Sequence, residues 1–261
     1  MIHNPAFGGV FLLLVKLKEI MANRLTLRMK KIWAQLALIS IELLLLLVLF
    51  FISVLGFAYL VNKVFKLKKT GMDNRVFNYL EQYTTPTNTD IMKFITFFGT
   101  HLFLIPANLA LITYFLVRKH RWYSIKVPVV AIGSVVVMSL LKLYFSRARP
   151  LTPILQEVQG FSFPSGHAMS AVTFYGLLIY LVYRYIQGAI PKYVLIGFLA
   201  LFILLIGISR IYLRVHYTSD VLAGFAMGII WLVVSLWVMG KVEKFTRREV
   251  RIQPPTTSLT Q

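Results

Sequence analysis

Long apolar stretches separated by short polar segments dominate the pattern along this chain. A helix needs about 20 mostly apolar residues to cross a bilayer. Six stretches approach or exceed that length, at about residues 36–60, 94–117, 127–145, 168–185, 193–208 and 221–239. Gly224 and Gly228, four residues apart in the last stretch, favour close helix packing. The pattern predicts an all-α fold, a polytopic membrane protein built as a bundle of six transmembrane helices.

Polar and basic segments flank this predicted bundle. We expect one membrane domain at residues 36–240, preceded by a basic cytoplasmic segment at residues 1–35. Residues 241–261 predict a cytoplasmic tail that begins with basic residues and ends in a Pro- and Thr-rich stretch, 253–261, which we expect to be disordered. Between the first two spans, the polar residues 70–91 carry irregularly spaced apolar side chains and predict a helix on the membrane surface.

The distribution of basic residues predicts the orientation of the bundle. Basic residues are more numerous in the segments that would be cytoplasmic if the N-terminus is inside. The loop after the first span opposes this assignment, because it carries four lysines, at positions 63, 66, 68 and 69. We expect the protein to lie in the inner or plasma membrane, with both termini in the cytoplasm.

The overall composition is that of a membrane protein. Hydrophobic residues make up 58% of the chain and charged residues 14%, whereas soluble domains have about 45–50% and about 25%. The net charge of +19 mostly flanks apolar runs, so we assign it to topology and lipid headgroups rather than to nucleic acid. The absence of cysteine excludes disulfides, zinc fingers and thiol nucleophiles.

Three short polar segments interrupt the apolar second half of the chain. They are Lys142 to Arg149-Pro150, Pro164-Ser165-Gly166-His167, and Ser209-Arg210 to His216 and Asp220. Residues 168–208 suffice for two crossings and a tight turn, so the second and third segments return to the same membrane face. Residues 151–163 contain no span, so the first segment belongs to that face too.

Lys142, Arg149 and Arg210 supply three cations at this face. Lys142 and Arg149 are two helical turns apart, so a third span that continues to Arg149 would present both on one side. Pro150 would then end that helix. Three cations close together suit a tetrahedral oxyanion, phosphate above all.

Ser165 and Gly166 stand immediately before an apolar helical run, in the position of a helix N-cap. A helix start with free backbone N–H groups and a glycine that allows close approach binds anions readily. The second polar segment therefore adds to the same predicted phosphate site.

His216 and Asp220 are one helical turn apart if the segment between them is helical. A carboxylate at that distance can hold an imidazole in one tautomer and stabilise its cation. This arrangement predicts a nucleophilic or basic His216, and it leaves His167 as the general acid for the leaving group.

We expect neither a metal ion nor another cofactor in this site. The other histidines, His3, His101 and His120, are expected to lie elsewhere. Between residues 91 and 242 the carboxylates are Glu157 and Asp220, fewer than a two-metal phosphatase site needs. Three nearby cations would also repel a divalent metal.

These three motifs resemble the signature of the type-2 phosphatidic acid phosphatase superfamily, over about residues 70–240. The resemblance implies a metal-free reaction in which His216 attacks phosphorus and forms a phosphohistidine. It implies that Asp220 orients His216 and that His167 protonates the leaving group. The residues that would hold the phosphoryl oxygens are Lys142, Arg149, Ser165, Gly166 and Arg210.

The six-helix plan resembles bacterial members of that superfamily, which usually have their site on the extracytoplasmic face. The resemblance implies a lipid phosphate as substrate, either undecaprenyl diphosphate or a glycerolipid phosphate such as phosphatidylglycerophosphate or phosphatidic acid. A lipid A phosphatase and a phosphotransferase with the same site stay open as alternatives. The intact His216–Asp220 pair argues against a non-enzymatic lipid transporter, and the six spans argue against a haloperoxidase.

Overall fold

The computed structural model describes the backbone of residues 5–154 and 159–252. Within these residues the α-helices are α1 (Pro5–Val61), α2 (Gly71–Glu81), α3 (Pro86–Phe97), α4 (His101–Val117), α5 (Arg121–Phe145), α6 (Gly166–Tyr185), α7 (Ala189–Tyr212) and α8 (Thr218–Ile252). A short π-helical segment, Asn62–Lys66, follows α1. The described residues form no β-strand, and the predicted all-α fold is confirmed.

Among the residues that the structure describes, six helical segments are long and apolar enough to span a membrane, as the sequence pattern predicts. They are Leu43–Lys66, Pro86–Val117, Arg121–Phe145, Gly166–Tyr185, Ala189–Tyr212 and Thr218–Arg247. The second of these contains both α3 and α4, which are separated by a short break at residues 98–100. The chain is therefore an integral membrane protein.

The predicted domain boundaries differ from the helix boundaries. Helix α1 begins at Pro5, so it includes most of the segment 1–35 for which a basic cytoplasmic segment was predicted. Helix α8 continues to Ile252, through the first half of the predicted tail. Neither residues 10–35 nor residues 241–252 contain a proline or glycine that would end the helix. The rest of the predicted tail, 253–261, lies outside the described residues.

The chain divides into two compact units, residues 1–49 and residues 50–261. The first unit contains the N-terminal part of α1, in which the leucines at positions 43–47 are exposed. The second unit contains the end of α1 and all the other helices, and it holds the candidate site described below.

Helix α6 lies at the centre of the second unit and packs against α5, α7 and α8. Helix α8 approaches α6 so closely that side chains are excluded at two positions. A Cβ at Gly224 would lie 2.6 Å from the Ser165 carbonyl oxygen, and one at Gly228 would lie 2.8 Å from Val172 Cβ. The close packing predicted from these two glycines is confirmed, and it occurs within the chain.

Helix α5 ends where the third apolar stretch, 127–145, ends, and it does not make the continuation to Arg149 considered from the sequence. Its last residue is Phe145, and Ser146 adopts a left-handed conformation with φ 44°. The Ser146 N–H donates to the Lys142 carbonyl at 2.9 Å, and Ser146 Oγ donates to the Leu143 carbonyl at 2.7 Å. The helix therefore does not continue to Arg149, and Pro150 is not the residue that ends it. Ser146 satisfies the last carbonyls and redirects the chain.

Helix α2 occupies the first half of the polar segment for which a surface helix was predicted. Its apolar face, with Val76, Phe77 and Leu80, packs against a cluster of buried residues from α6, α7 and α8. The opposite face is exposed, for example at Tyr79. Asp73 departs from this pattern, because it is a carboxylate that is only 1% exposed.

The α6–α8 contact predicts a matched pair of glycine substitutions. Gly224→Val would push side-chain atoms into the Ser165 backbone, and overpacking of this kind costs about 1–3 kcal/mol. Gly240→Val is the control, because nothing lies within 4 Å of a Cβ at Gly240, on the same helix. In thermal unfolding in detergent, Gly224→Val should be clearly less stable than the wild type, and Gly240→Val should not. Equal losses of stability in the two variants would contradict the packing argument.

Candidate active site

The three polar segments meet at one end of the second unit, beside a cavity of about 690 Å³. The cavity continues between α4, α5 and α6. Six of the predicted site residues line its polar end: Lys142, Arg149, Gly166, His167, Arg210 and His216. The expected convergence of the three segments is therefore present in the fold.

His216 is buried, with its two ring nitrogens in different surroundings. Nδ1 lies 3.6 Å from Asp220 Oδ2 and 3.3 Å from Ser162 Oγ. Nε2 lies 3.4 Å from Nη1 of Arg149, which lines the cavity. A proton on Nδ1 can be shared with the carboxylate, and this leaves the lone pair of Nε2 on the cavity side.

The carboxylate of Asp220 also caps the start of α8. The helix begins at Thr218, so His216 stands before it and not within the helical turn considered from the sequence. Asp220 Oδ2 accepts hydrogen bonds from the Tyr217 N–H at 2.9 Å and from Ser162 Oγ at 2.5 Å. The His216–Asp220 contact therefore depends on a helix cap and on Ser162, rather than on helical periodicity.

Burial lowers the pKa of His216 to about 4, because the charged imidazole is poorly solvated there. Hydrogen bonding and charge attraction from Asp220 oppose this shift, while the positive charges of Arg210 and Arg149 add to it. His216 is therefore neutral at pH 7, the state in which Nε2 can act as a nucleophile.

The arginines of the cavity are held by neighbouring oxygens. Arg149 donates from Nε to the Gly160 carbonyl and from Nη1 to the Val215 carbonyl, both at 2.9 Å. Burial lowers the pKa of Arg149, and Asp220 opposes this effect. Arg210 is 3% exposed, and its Nη1 donates to Thr96 Oγ1 at 3.0 Å. These contacts hold two guanidinium groups in place beside the cavity.

Lys142, near the end of α5, adds a third cation to the cavity wall. The Nε of Arg210 is buried and has no hydrogen-bond partner among the described residues. Three cations and a buried N–H without a partner suit an oxyanion between them.

The start of α6 differs in one respect from the sequence expectation. Ser165 is the N-cap, but its backbone N–H is not free, because it donates to the Asp220 carbonyl at 2.9 Å. Its Oγ is buried and has no partner within the described part of the chain. A Cβ at Gly166 would lie 2.5 Å from Met138 Sδ, so glycine permits the close approach at this helix start.

Sequence reasoning missed several residues that the fold brings to the site. His101, which was expected to lie elsewhere, lines the cavity. The α3–α4 junction folds over the site, so that a Cβ at Gly99 would lie 3.1 Å from His167 Cδ2. Thr96 reaches Arg210 from the same junction. No spacing rule connects this junction to the three motifs, so sequence periodicity gave no signal for these contacts.

Arg147, Ser162 and Asp73 were also missed, although each had a weak signal in the sequence. Arg147 lies inside the segment from Lys142 to Arg149, and Ser162 lies just before Pro164. Asp73 is one of the few carboxylates of the chain and stands in the polar segment that precedes α3. All three contribute to the hydrogen bonding around Asp220.

Comparisons with known proteins agree with this geometry. Residues 123–244 match the family model described as the PAP2 superfamily, a range that contains all three polar segments. Phosphatidylglycerophosphatase B of Bacillus subtilis is 29% identical over 168 residues, which are 62% of this chain and 81% of that protein. Undecaprenyl-diphosphatase of Sulfolobus acidocaldarius is 25% identical over 186 residues, 67% of this chain and 82% of the other.

A solved structure has the same fold. The crystal structure of a transmembrane PAP2 type phosphatidylglycerolphosphate phosphatase from Bacillus subtilis superposes with a TM-score of 0.65. The sequences are 26% identical, and the match covers 73% of this chain and 95% of that one. The predicted six-helix arrangement of the PAP2 kind is therefore confirmed.

The buried, neutral His216 predicts a pH dependence of stability. In the unfolded chain an ordinary histidine takes up a proton near pH 6.5, whereas folded His216 stays neutral down to about pH 4. The unfolded state therefore binds the extra proton between these values, and stability is lost as the pH falls from about 6.5 to about 4. The loss amounts to about 1.4 kcal/mol per pH unit in that window.

Thermal unfolding of the wild type and of His216→Asn at pH 7 and pH 5 measures this effect. We expect the wild type to lose clearly more stability than the variant on acidification. His120→Asn, at an exposed position, should follow the wild type. An equal acid sensitivity of the wild type and His216→Asn would contradict a neutral His216.

Proposed function

Since residues 123–244 of this chain belong to the PAP2 superfamily, we propose that the protein is a membrane phosphatase that removes phosphate from a lipid phosphate or diphosphate. The observation that carries the proposal is a neutral His216 with Asp220 beside its Nδ1. The Nε2 of this histidine is on the side of a cavity that three cations line. This combination provides a nucleophile and a binding site for the phosphate it attacks.

The shape of the cavity supports a substrate with a long apolar tail. From Lys142 its lining follows α5 to Pro128, a distance of about 20 Å along the helix. The residues that α4 contributes below His101 include Ile105, Leu109 and Ile112. The apolar part of the cavity thus extends through more than half of the hydrocarbon core, which is about 30 Å thick. A lipid can place its phosphate among the cations and its tail along α4, α5 and α6.

In the first step His216 Nε2 attacks the terminal phosphorus with its lone pair, and the bond from this phosphorus to the oxygen of the departing lipid alcohol or lipid monophosphate breaks. His167 lines the same cavity and donates a proton to the departing oxygen. Asp220 accepts the Nδ1–H of His216 and stabilises the positive charge that the phosphorylated ring carries. Lys142, Arg149 and Arg210 neutralise the phosphoryl oxygens during the transfer.

In the second step water attacks the phosphorus of the phosphohistidine. His167 takes a proton from this water, the phosphorus–nitrogen bond breaks, and inorganic phosphate leaves. We assign two further phosphate contacts to the start of α6: Gly166, which lines the cavity, and the buried Oγ of Ser165, which has no hydrogen-bond partner among the described residues. The site then returns to its starting protonation, so the cycle consumes only the lipid phosphate and water.

Independence of metal ions is part of the proposal. The carboxylates Asp73 and Asp220 both bind the guanidinium of Arg147. Two carboxylates already paired with a cation are poor ligands for a divalent metal, and the three cations of the cavity repel one. The phosphoryl charge is then neutralised by side chains alone.

The names of the relatives support two lipids as first candidates, phosphatidylglycerophosphate and undecaprenyl diphosphate. We also propose that both termini are cytoplasmic and that the site opens at the extracytoplasmic face. The six spans found in the described part of the chain put the two ends of that part on one side. The distribution of basic residues favours the cytoplasm for that side.

Phosphate release from a panel of lipids tests the proposal. The panel contains phosphatidylglycerophosphate, undecaprenyl diphosphate, phosphatidic acid and lipid A, each with purified protein in detergent and EDTA. We expect the wild type to release phosphate and His216→Ala to lose at least about 1,000-fold in rate. His120→Ala, at an exposed histidine outside the site, is the matched control and should remain active.

Each other result has a distinct meaning. Activity that survives His216→Ala would overturn the phosphohistidine mechanism, and activity abolished by EDTA would overturn metal independence. Phosphate transfer to an added lipid or sugar alcohol, without release in its absence, would identify a phosphotransferase. A folded wild type that acts on no lipid, with or without an acceptor, would contradict the proposed function.

The cavity also predicts a change in tail-length preference. Ala131 on α5 lines the cavity, so Ala131→Trp should obstruct the tail and lower kcat/KM for a long-chain lipid phosphate. A short-chain, water-soluble phosphate ester should be affected about 10-fold less, by analogy with pocket-filling effects on specificity. Ala110→Trp, at an exposed position of α4 outside the cavity lining, is the control. Equal effects on both substrates would contradict the proposal that the cavity binds the lipid tail.

A further inference from the structure

A partly buried guanidinium connects two buried carboxylates behind the candidate nucleophile. Arg147 Nη1 lies 2.5 Å from Asp220 Oδ1, and Nη2 lies 3.0 Å from Asp73 Oδ2. The side chains of Asp220 and Asp73 are 0% and 2% exposed, and that of Arg147 is 12% exposed. The Arg147 guanidinium also lies over the ring of Tyr217, with its Cζ 4.1 Å from the ring centroid. The cation is therefore fixed in orientation as well as in position.

Asp73 reaches this group from α2 and binds the first turn of α8. Its Oδ1 accepts the Ser219 N–H at 2.9 Å, and its Oδ2 accepts Ser219 Oγ at 2.8 Å. Ser219 Oγ is also 2.8 Å from Arg147 Nη1. Ser219 and Asp220 are neighbours, so Asp73 holds the same turn from which the Asp220 carboxylate projects.

The two oxygens of Asp220 have different partners. Oδ1 faces Arg147, whereas Oδ2 faces Ser162 Oγ and His216 Nδ1. A carboxylate held at Oδ1 by a charged hydrogen bond cannot rotate freely about its χ2 angle. Arg147 therefore determines which oxygen is presented to the imidazole.

Asp73 also changes the charge that His216 experiences. Alone, the Arg147 cation would neutralise Asp220 and weaken its attraction for a cationic imidazole. With a second carboxylate on the same guanidinium, the group of Arg147, Asp73 and Asp220 carries one net negative charge. In a buried site such a charge difference acts strongly on a neighbouring ring. Burying a second carboxylate costs free energy unless it is paired, so the presence of Asp73 here needs an explanation.

Resting on the proposed function, we propose that Arg147 and Asp73 are positioning residues for the His216–Asp220 pair. Arg147 holds Asp220 Oδ1 so that Oδ2 accepts the Nδ1–H of His216. Asp73 anchors the first turn of α8 and shares the Arg147 charge, which leaves Asp220 able to stabilise the phosphorylated imidazole. Helix α2, which precedes the family-matched residues 123–244, is thereby part of the catalytic apparatus.

The first test compares kcat and KM of three variants, Asp73→Asn, Arg147→Lys and Arg147→Gln, on a lipid phosphate. We expect kcat to fall by about 100-fold for Arg147→Gln and by about 10-fold for Asp73→Asn, because misplacing a reacting group by about 1 Å has effects of this size. KM should change little, since neither residue lines the cavity. Arg147→Lys keeps the charge and should retain more activity than Arg147→Gln.

Asp90→Asn is the matched control for the loss of a carboxylate. Asp90 forms an exposed ion pair with Lys93 on α3, with side chains 76% and 51% exposed, and its loss should leave kcat unchanged. Thermal unfolding of every variant in detergent checks that the protein is folded. Combination with Asp220→Asn separates positioning from general damage. In that background, Asp73→Asn and Arg147→Gln should cause no further loss of kcat if they act through Asp220.

The second test does not depend on turnover. In ¹⁵N-histidine-labelled protein, with the His216 signals assigned by comparison with His216→Ala, we expect the wild-type ring to carry its proton on Nδ1. Arg147→Gln and Asp73→Asn should shift the ring towards the Nε2–H tautomer. Unchanged kcat and an unchanged tautomer in folded variants would overturn the positioning proposal.

The two tests also distinguish the failure of each proposal. If the wild type acts on no lipid but the variants change the His216 tautomer, the proposed function fails and the positioning role stands. If the wild type is active and further loss appears in the Asp220→Asn background, the two residues act on the fold in general and the positioning role fails.

Discussion

The hydrogen bonds of Asp220 connect the three polar segments of the candidate site. Arg147, from the first segment, binds its Oδ1, and Ser162, just before the second segment, binds its Oδ2. The Ser165 N–H donates to its carbonyl, and His216 lies against Oδ2. A carboxylate can be buried only if such partners compensate for its lost hydration. The same contacts that make burial tolerable therefore also align the imidazole beside the cavity.

Close packing in the apolar part of the bundle makes these polar contacts possible. Because Gly224 lies against the Ser165 carbonyl, the start of α6 is within hydrogen-bonding reach of the first turn of α8. Any side chain at that position would separate the two helices and, with them, Ser165 from Asp220. The close packing that the glycines of α8 allow is thus also required for the geometry of the site.

Local patterns in the sequence predict the six spans and the convergence of the three polar segments, because hydropathy and span length depend only on neighbouring residues. They fail where the outcome depends on a tertiary contact or on a single backbone angle. The left-handed Ser146 ends α5 before Arg149, and the Ser165 N–H is taken by Asp220. His101 and Asp73 reach the site only because the α3–α4 junction and α2 fold over it, which no periodicity in their own segments encodes.

Sequence patterns predict the residues proposed to contact the phosphate better than they predict the residues that support them. The residues proposed to contact the phosphate lie in short motifs within the family-matched range 123–244. Several of the residues that hold or surround them come from the preceding helices: Asp73 from α2, Thr96 from α3 and His101 from α4. The motifs alone could form an anion site, but the orientation of Arg210 and the charge balance around Asp220 depend on those earlier helices. We therefore expect relatives to differ mainly in their N-terminal halves, which lie outside the motifs. Such differences would change the orientation of the site residues, the charge around Asp220 and the fit of the lipid tail.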